Sequence, residues 1–402
     1  MSTRIAVIGA GAAGCFGAIG IKRLHPEYDV CVYEGGPKPL MKVALTGGGR
    51  CNLTNTFEDI DKLRDAYPRG EQLMKRALRA FSQWDVMEWF EKEGVRLTVQ
   101  PDRCVFPVSQ DAMQIVRTLE NLLRRLGVPV QCGRRLVKLT PLETGYELEF
   151  NDGKLEMADK VFVTAGGTSS DTLRRMLPAD VEVMDTVPSL FTFKIPDAGL
   201  RSLMGTVVED VEMGICGTSF RSHGTLLLTD WGVSGPATLK LSSYAARHLA
   251  EHAYRAELSI NWMRGNEEQA RALLGGMARD NQKRYIAGTH PDFLTDRLWR
   301  HIVQRAGIRS EQRWSELGGK GMSRLANMLV SDTYPIEGRA KFKEEFVTCG
   351  GVSLNAININ TLECKAHPGL FFAGEVLDLD AITGGFNLQA AWSTAAAVMN
   401  NV

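Results

Sequence analysis

Gly9, Gly11 and Gly14 follow a short apolar run as Gly-x-Gly-x-x-Gly, and Glu34 stands twenty residues after Gly14. Each residue type has a physical task. Gly9 permits a tight turn out of a strand. Gly11 has no Cβ, so backbone can approach a pyrophosphate, and Gly14 lets the following helix pack closely on the sheet. Ala12 and Ala13 then offer amides from the helix N-terminus, where the dipole favours phosphate. Glu34 ends the second apolar run, where a carboxylate accepts hydrogen bonds from ribose hydroxyls. The pattern predicts a dinucleotide site.

Two further clusters narrow the choice of dinucleotide. Residues 370–375 form an apolar run ending in Gly374-Glu375, followed by Asp378 and then Gly384, Gly385, Phe386 and Asn387 ahead of an Ala-rich helix. In two-domain flavoproteins such a strand presents its acid to the ribityl chain. The next helix aims its N-terminus at the electron-rich end of the flavin, which carries negative charge when reduced. A nicotinamide dehydrogenase needs no such second element, so FAD is the expected cofactor. The third cluster contains Thr46, Gly48, Gly49, Arg50, Cys51 and Asn52. Consecutive glycines beside Arg and Asn suggest a loop wrapping a flat polar ligand, with Arg50 meeting phosphate or ring carbonyls. Cys51 reads as a small packed residue before a redox one, because no resolving cysteine lies nearby. Ala165, Gly166 and Gly167 close a buried strand of the same sheet, and Leu136 sits where a backbone pair faces adenine in such folds.

No carboxylate pair, Ser/His/Asp set or Cys/His pair identifies a catalytic acid or base. Asp230, His223, Tyr334 and Arg50 are the candidates, and the catalytic residue stays unassigned. The seven histidines show no His-Glu-x-x-His or comparable metal spacing, so no metal is expected. The eight cysteines are scattered without a Cys-x-x-Cys pair, the pattern of a reduced protein. There is no second Gly-x-Gly-x-x-Gly with a strand before it, so NAD(P)H is expected at most as a transient reductant.

The elements that must position these residues follow from periodicity. The chain's 402 residues suit two or three domains. Residues 3–34 read as a βαβ unit, 71–93 as a helix ending at Gly94, 112–126 as a helix, 128–150 as a strand and hairpin, and 160–167 as a buried return strand. From about 187 the texture changes to short alternating segments with Gly-rich turns, a small barrel-like β-domain. Residues 265–330 have helical spacing and many arginines. They read first as a solvated helical face and second as a docking surface for an anionic partner. From about 331 the α/β texture returns, with a strand expected over 346–352. The predicted fold is therefore α/β. A Rossmann-like FAD/NAD(P)-binding domain (1–187 and 331–402) carries an inserted β-barrel-like domain (188–260) and a helical subdomain (261–330).

Net formal charge is zero, which argues against bulk nucleic-acid or membrane-surface binding. The first strand begins within three residues of the N-terminus, leaving no room for a signal peptide, and no apolar run approaches a membrane span. A cytoplasmic location and a small-molecule substrate are expected; the oligomeric state is not specified.

Together these residues resemble the YhiN-type flavoproteins, the aminoacetone-oxidase-like family. The matching stretches are the Gly9 fingerprint, residues 46–55, 105–109, 187–190, 227–236, 348–353, 369–378 and 383–387, spread in order over the whole chain. The resemblance implies one FAD per chain, a split FAD domain and an insert made of a β-barrel and a helical piece. One departure stands out: Asp230 occupies a position where such proteins usually carry histidine. An FAD-dependent oxidoreductase with substrate held between the FAD domain and the insert is the first expectation. An RNA-associated flavoprotein and a flavin-binding protein without turnover are the alternatives.

Overall fold

The computed structural model describes residues 2–340 and 347–402. The chain forms two compact units: Met1–Pro188 with Val347–Val402, and Ser189–Phe346.

The first unit is built on a five-stranded parallel sheet. Its order is Leu370–Phe372, Lys160–Val163, Arg4–Ile8, Asp29–Glu34, Val130–Cys132. Ile5, Val7, Val161, Phe162 and Leu370 are buried completely, as strands covered on both faces require. The helices Ala12–Leu24 and Phe386–Met399 belong to this unit, and Phe16 of one meets Trp392 of the other edge-on at 5.5 Å. Because Arg4–Ile8 has strands on both sides, the carboxyl edge of the sheet opens a crevice there, the usual ligand position in an open α/β sheet.

The helical pattern over 71–93 resolves into two helices, Glu71–Ala80 and Gln83–Lys92. Phe81 is extended, and Ser82 starts the second helix through a reciprocal capping box with Asp85. The strand expected over 346–352 is Val347–Val352; Phe346 lies outside the described residues. Two small antiparallel sheets flank the unit, one of them Leu136–Pro141, Tyr146–Phe150 and Leu155–Ala158.

The second unit carries a six-stranded antiparallel sheet. Its order is Phe193–Lys194, Gly232–Ser234, Arg221–Leu228, Val207–Ile215, Arg255–Asn261, Asp332–Glu337. The first and last strands meet, with Lys194 N–H donating to Gly338 O at 2.9 Å and Ala340 N–H to Thr192 O at 3.2 Å. The sheet thus closes on itself, the barrel-like form expected from the alternating segments. Two boundaries differ from the sequence reading. The strand Asp332–Glu337 is the barrel's last strand, so the return to the first unit comes after residue 331. The helices Glu267–Asp280, Asp296–Arg305 and Gly318–Val330 share one hydrophobic core with the barrel, so barrel and helices are a single body. Among the described residues, no helix is long and apolar enough to cross a membrane.

Candidate functional site

The carboxyl edge of the parallel sheet gathers residues from both ends of the chain. Gly9 turns out of the first strand at φ +106, and its N–H donates to Tyr33 O at 2.8 Å. An added Cβ on Gly14 would lie 1.9 Å from Gly9 O and 2.5 Å from Thr164 Oγ1, so this position must be glycine for helix and strand to meet. Gly11 is different: a Cβ there would meet nothing within 4 Å. Its lack of a side chain serves open space beside the helix start, not packing. No side chain caps the helix at Gly11, which leaves its first N–H groups available.

Glu34 uses its two carboxylate oxygens on two loops, one after each of the first two strands in sequence. Oε2 accepts from Ala10 N–H at 2.8 Å and Oε1 from Gly36 N–H at 2.6 Å. The next segment lies alongside, with Gly133 N–H donating to Gly36 O and Arg134 N–H to Glu34 O, both at 2.9 Å. Leu136 follows directly and is buried.

The residues around Thr46 form a tight turn. The helix from Met41 breaks at Thr46, which is extended, and Gly47, Gly48 and Gly49 take φ of +59, +67 and +81. Three left-handed residues in a row are open to glycine and costly to others. Cys51 is also left-handed, at φ +61, and its N–H donates to Thr46 O at 2.9 Å. Its side chain is fully buried and burial pushes the thiol up to about 12, so it is a packed residue and not a thiolate at neutral pH. The Arg50 guanidinium stacks on Phe106 at 4.5 Å and stays exposed.

This turn is tied to the C-terminal motif. With its amide oriented to donate to Thr54 O at 3.0 Å, Asn52 accepts from Gly385 N–H at 3.2 Å. Asn55 Nδ2 donates to Gly384 O at 3.0 Å and Trp392 Nε1 to Leu53 O at 3.0 Å. A Cβ on Gly385 would lie 2.4 Å from Thr54 O. The sequence-predicted partners Thr46–Asn52 and Gly384–Asn387 are therefore brought together. The Asn387 side chain closes its own loop, accepting from Ala381 N–H at 2.9 Å and donating to Ala381 O at 3.0 Å. Phe386 is buried, its ring edge-on against Phe57 at 5.0 Å. Tyr67 Oη donates to Phe386 O at 2.9 Å, fixing the helix start.

Gly374 and Glu375 follow the outer strand. Glu375 accepts from Thr348 N–H at 2.9 Å and from Lys42 Nζ at 2.8 Å. Gly167 packs so close to it that a Cβ there would lie 2.6 Å from Glu375 Oε1; Ala165 and Gly166 precede it on the same edge. Asp378 N–H donates to Val352 O at 2.9 Å, placing it beside the strand that carries Thr348. Neither Lys42 nor Thr348 carries a local sequence signal of this role.

The acid–base candidates separate. Arg50 belongs to the first unit, with the glycine turn; Asp230, His223 and Tyr334 belong to the second. Tyr334 is buried, and its Oη donates to Asp332 Oδ2 at 2.7 Å. Trp262 Nε1 donates to the same oxygen at 3.1 Å, and Arg305 Nε to Oδ1 at 2.9 Å. Burial and the adjacent Asp332 push the Tyr334 phenol far up, so it stays protonated as part of a core network. Asp230 and His223 are exposed. Within 264–313, Arg264 pairs with Asp210, Arg271 with Glu267 and Arg300 with Asp296. This matches a solvated helical face over that part.

The chain matches the HI0933-like protein Rossmann domain family over residues 3–401. It belongs to the HI0933-like family. Curated relatives cover nearly all of it. The ribosomal RNA dihydrouridine synthase of Escherichia coli (strain K12) is 29% identical, with 97% of this chain and 95% of the relative aligned. The 3-dehydro-bile acid delta(4,6)-reductase of Clostridium scindens is 27% identical, with 97% of each chain aligned. Similar solved structures include a 3-ketosteroid delta1-dehydrogenase from Sterolibacterium denitrificans, with TM-score 0.49, 13% identity and 99% of each chain covered. The E. coli quinol fumarate reductase FrdA is another, with TM-score 0.48, 14% identity, and 99% of this chain and 69% of that one covered. The HI0933-like chain thus carries a Rossmann domain, as the sequence resemblance implied.

Proposed function

We propose that this chain binds one FAD and reduces a carbon–carbon double bond conjugated with a carbonyl, with NAD(P)H as the transient electron donor. The observation that carries the cofactor half is the open collar at the sheet edge. Gly11, Gly48 and Gly49 face space that an added Cβ would enter freely, whereas at Gly9, Gly14 and Gly385 packing is too tight for any Cβ. An extended, flat, anionic molecule fits that collar. The Gly9–Gly14 turn and the uncapped helix start would hold its pyrophosphate, and Glu34 its ribose. Gly374 and Glu375 would line the ribityl chain, and the helix starting at Phe386 would face the electron-rich end of the ring. When bound, FAD supplies hydride transfer. The chain's own part is to position, to exclude water and to supply a proton.

The substrate class rests on what two relatives are named for. A dihydrouridine is a uridine whose ring double bond, conjugated with a carbonyl, has been saturated. A 3-dehydro delta(4,6)-reductase saturates double bonds conjugated with a ketone. In such a reduction hydride adds to the electrophilic carbon of the conjugated system, β to the carbonyl or δ in a dienone, and a proton to a carbon that gains the electron pair, so two hydrogens are gained and the reductant is oxidised by two electrons.

RNA is the second reading of the substrate. Two relatives carry the ribosomal RNA name. In addition Lys283, Arg284, Arg309 and Arg313 are exposed together with Tyr285, whose ring lies 5.9 Å from the Arg313 guanidinium. Cations beside an exposed ring suit phosphate and base contacts, against the neutral overall charge.

The test is anaerobic. NADH or NADPH should bleach the yellow protein, and a conjugated steroid enone or an unmodified ribosomal RNA fragment should restore the colour and gain two hydrogens by mass spectrometry. Bleaching by neither nucleotide would refute the donor. Restoration by neither acceptor would refute the substrate class.

A further inference from the structure

We propose that His248, Glu251 and His252, in the second unit, form a binding site for a divalent first-row transition-metal ion, represented by Zn2+. Their ligand atoms all lie within 4.8 Å of one another. The spacing explains why. His248 and Glu251 lie on the helix Ala246–Glu251 and His252 caps it, so i, i+3 and i+4 share one face. The order His-x-x-Glu-His is the reverse of His-Glu-x-x-His, and it places the same three groups together.

The chemistry of the three groups suits such an ion. His252 Nδ1 lies 2.8 Å from His248 O; as the donor, it fixes the tautomer that leaves Nε2 with a free lone pair. The His248 ring is half-buried, 5.8 Å from the Phe220 ring and 4.3 Å from that of His252, so both imidazoles are held near each other. The helix C-terminus favours a cation there. Zinc bonded at about 2.0–2.1 Å in a tetrahedron sets its ligand atoms roughly 3.3 Å apart, within reach of small side-chain rotations from the present positions. Two imidazoles and a carboxylate select Zn2+, Ni2+ or Cu2+ over Ca2+ or Mg2+. Three protein ligands leave one position for water. The ion would clamp the helix end just before Ala253 and Tyr254, both left-handed at φ +52 and +58, which lead into the barrel strand Arg255–Asn261.

The experiment uses the full-length protein with its cofactor, stripped of metal by a chelator. Zn2+ is titrated against a chromogenic zinc indicator. Wild type should bind one Zn2+ per chain at this site. His248→Gln and His252→Gln should each weaken binding about tenfold or more. Zn2+ should raise the thermal midpoint of wild type and leave that of H252Q unmoved. As a measurement independent of variant folding, Zn2+ should protect His248 and His252 of wild type from diethyl pyrocarbonate, read by peptide mass spectrometry. With Co2+ as probe, a thiolate-to-cobalt absorption band would assign binding to cysteine and overturn the proposal. Unchanged affinity in both histidine variants, or no protection of either histidine, would overturn it too.

Discussion

Lys42 Nζ lies 2.8 Å from Glu375 Oε2, so residues 333 apart in sequence meet at the carboxyl edge of the parallel sheet. The other Glu375 oxygen accepts from Thr348 N–H at 2.9 Å. The two contacts differ in weight. Lys42 is 62% exposed, so its ion pair contributes about 0–1 kcal/mol. The Thr348 amide loses a charged acceptor if Glu375 goes, an effect of about 1.5–3 kcal/mol. Lys42→Met should therefore leave FAD affinity within about threefold of wild type, and Glu375→Ala should lower it about tenfold or more. Fluorescence titration of the apoprotein with FAD measures both; equal effects would place the weight on the ion pair.

Gly11 and Gly14 predict opposite phenotypes. Gly14→Ala drives a methyl into backbone oxygen and should destabilise the protein by about 1–3 kcal/mol or more. Gly11→Ala has free space and ordinary backbone angles, φ −84 and ψ −166, so its denaturation midpoint without cofactor should stay within about 0.5 kcal/mol of wild type. Its FAD affinity should nonetheless fall strongly, because the methyl enters the pyrophosphate position. Urea denaturation of the apoproteins beside FAD titration separates the two effects.

His301 sets a pH dependence in the second unit. Burial holds its pKa below the ordinary 6.5, against the opposing pull of Asp197 and Asp332. Its ring nitrogen Nε2 is 3.1 Å from Tyr334 Oη. Above 6.5 the ring is neutral folded and unfolded, and its contribution is fully present. As pH falls through 6.5 the unfolded chain takes the proton first, so stability drops until the lower folded pKa is passed. His301→Gln should abolish that component of the loss. Comparing urea midpoints of wild type and variant between about pH 7.5 and about pH 5 checks the sign.

The cysteines should label in order of burial. Cys132 is exposed, whereas Cys51 and Cys15 are buried and burial raises both thiols. A maleimide at neutral pH should modify Cys132 in the native protein and reach Cys15 and Cys51 only after unfolding. Peptide mass spectrometry reads the order, and early modification of Cys51 would revive a redox role for it.

Glycines were legible in the sequence because a forbidden Cβ leaves its mark on residue type. Gly14, Gly385 and the run from Gly47 to Gly49 all answer to a clash or a left-handed φ. Lys42 and Thr348 left no mark, since their contacts depend only on where distant segments come to rest. The six residues Asp332–Glu337 alternate as a strand of either sheet would, and only their pairing with Arg255–Asn261 places them in the barrel. Tyr334 looked like a proton donor because residue type does not distinguish a reactive phenol from one bound to a buried carboxylate. His248, Glu251 and His252 carry two histidines and a glutamate in the reverse of the His-Glu-x-x-His order, so that pattern does not mark them.

The central claim is that both ends of this chain hold one FAD. Its most direct test is the flavin content of the purified protein, taken from the visible spectrum before and after denaturation, with chromatography of the released chromophore. The account predicts flavin bands in the native protein and about one FAD released per 44.3 kDa chain, with Gly11→Ala purifying folded but depleted of flavin. A folded wild-type protein that is colourless and takes up no added FAD would contradict it.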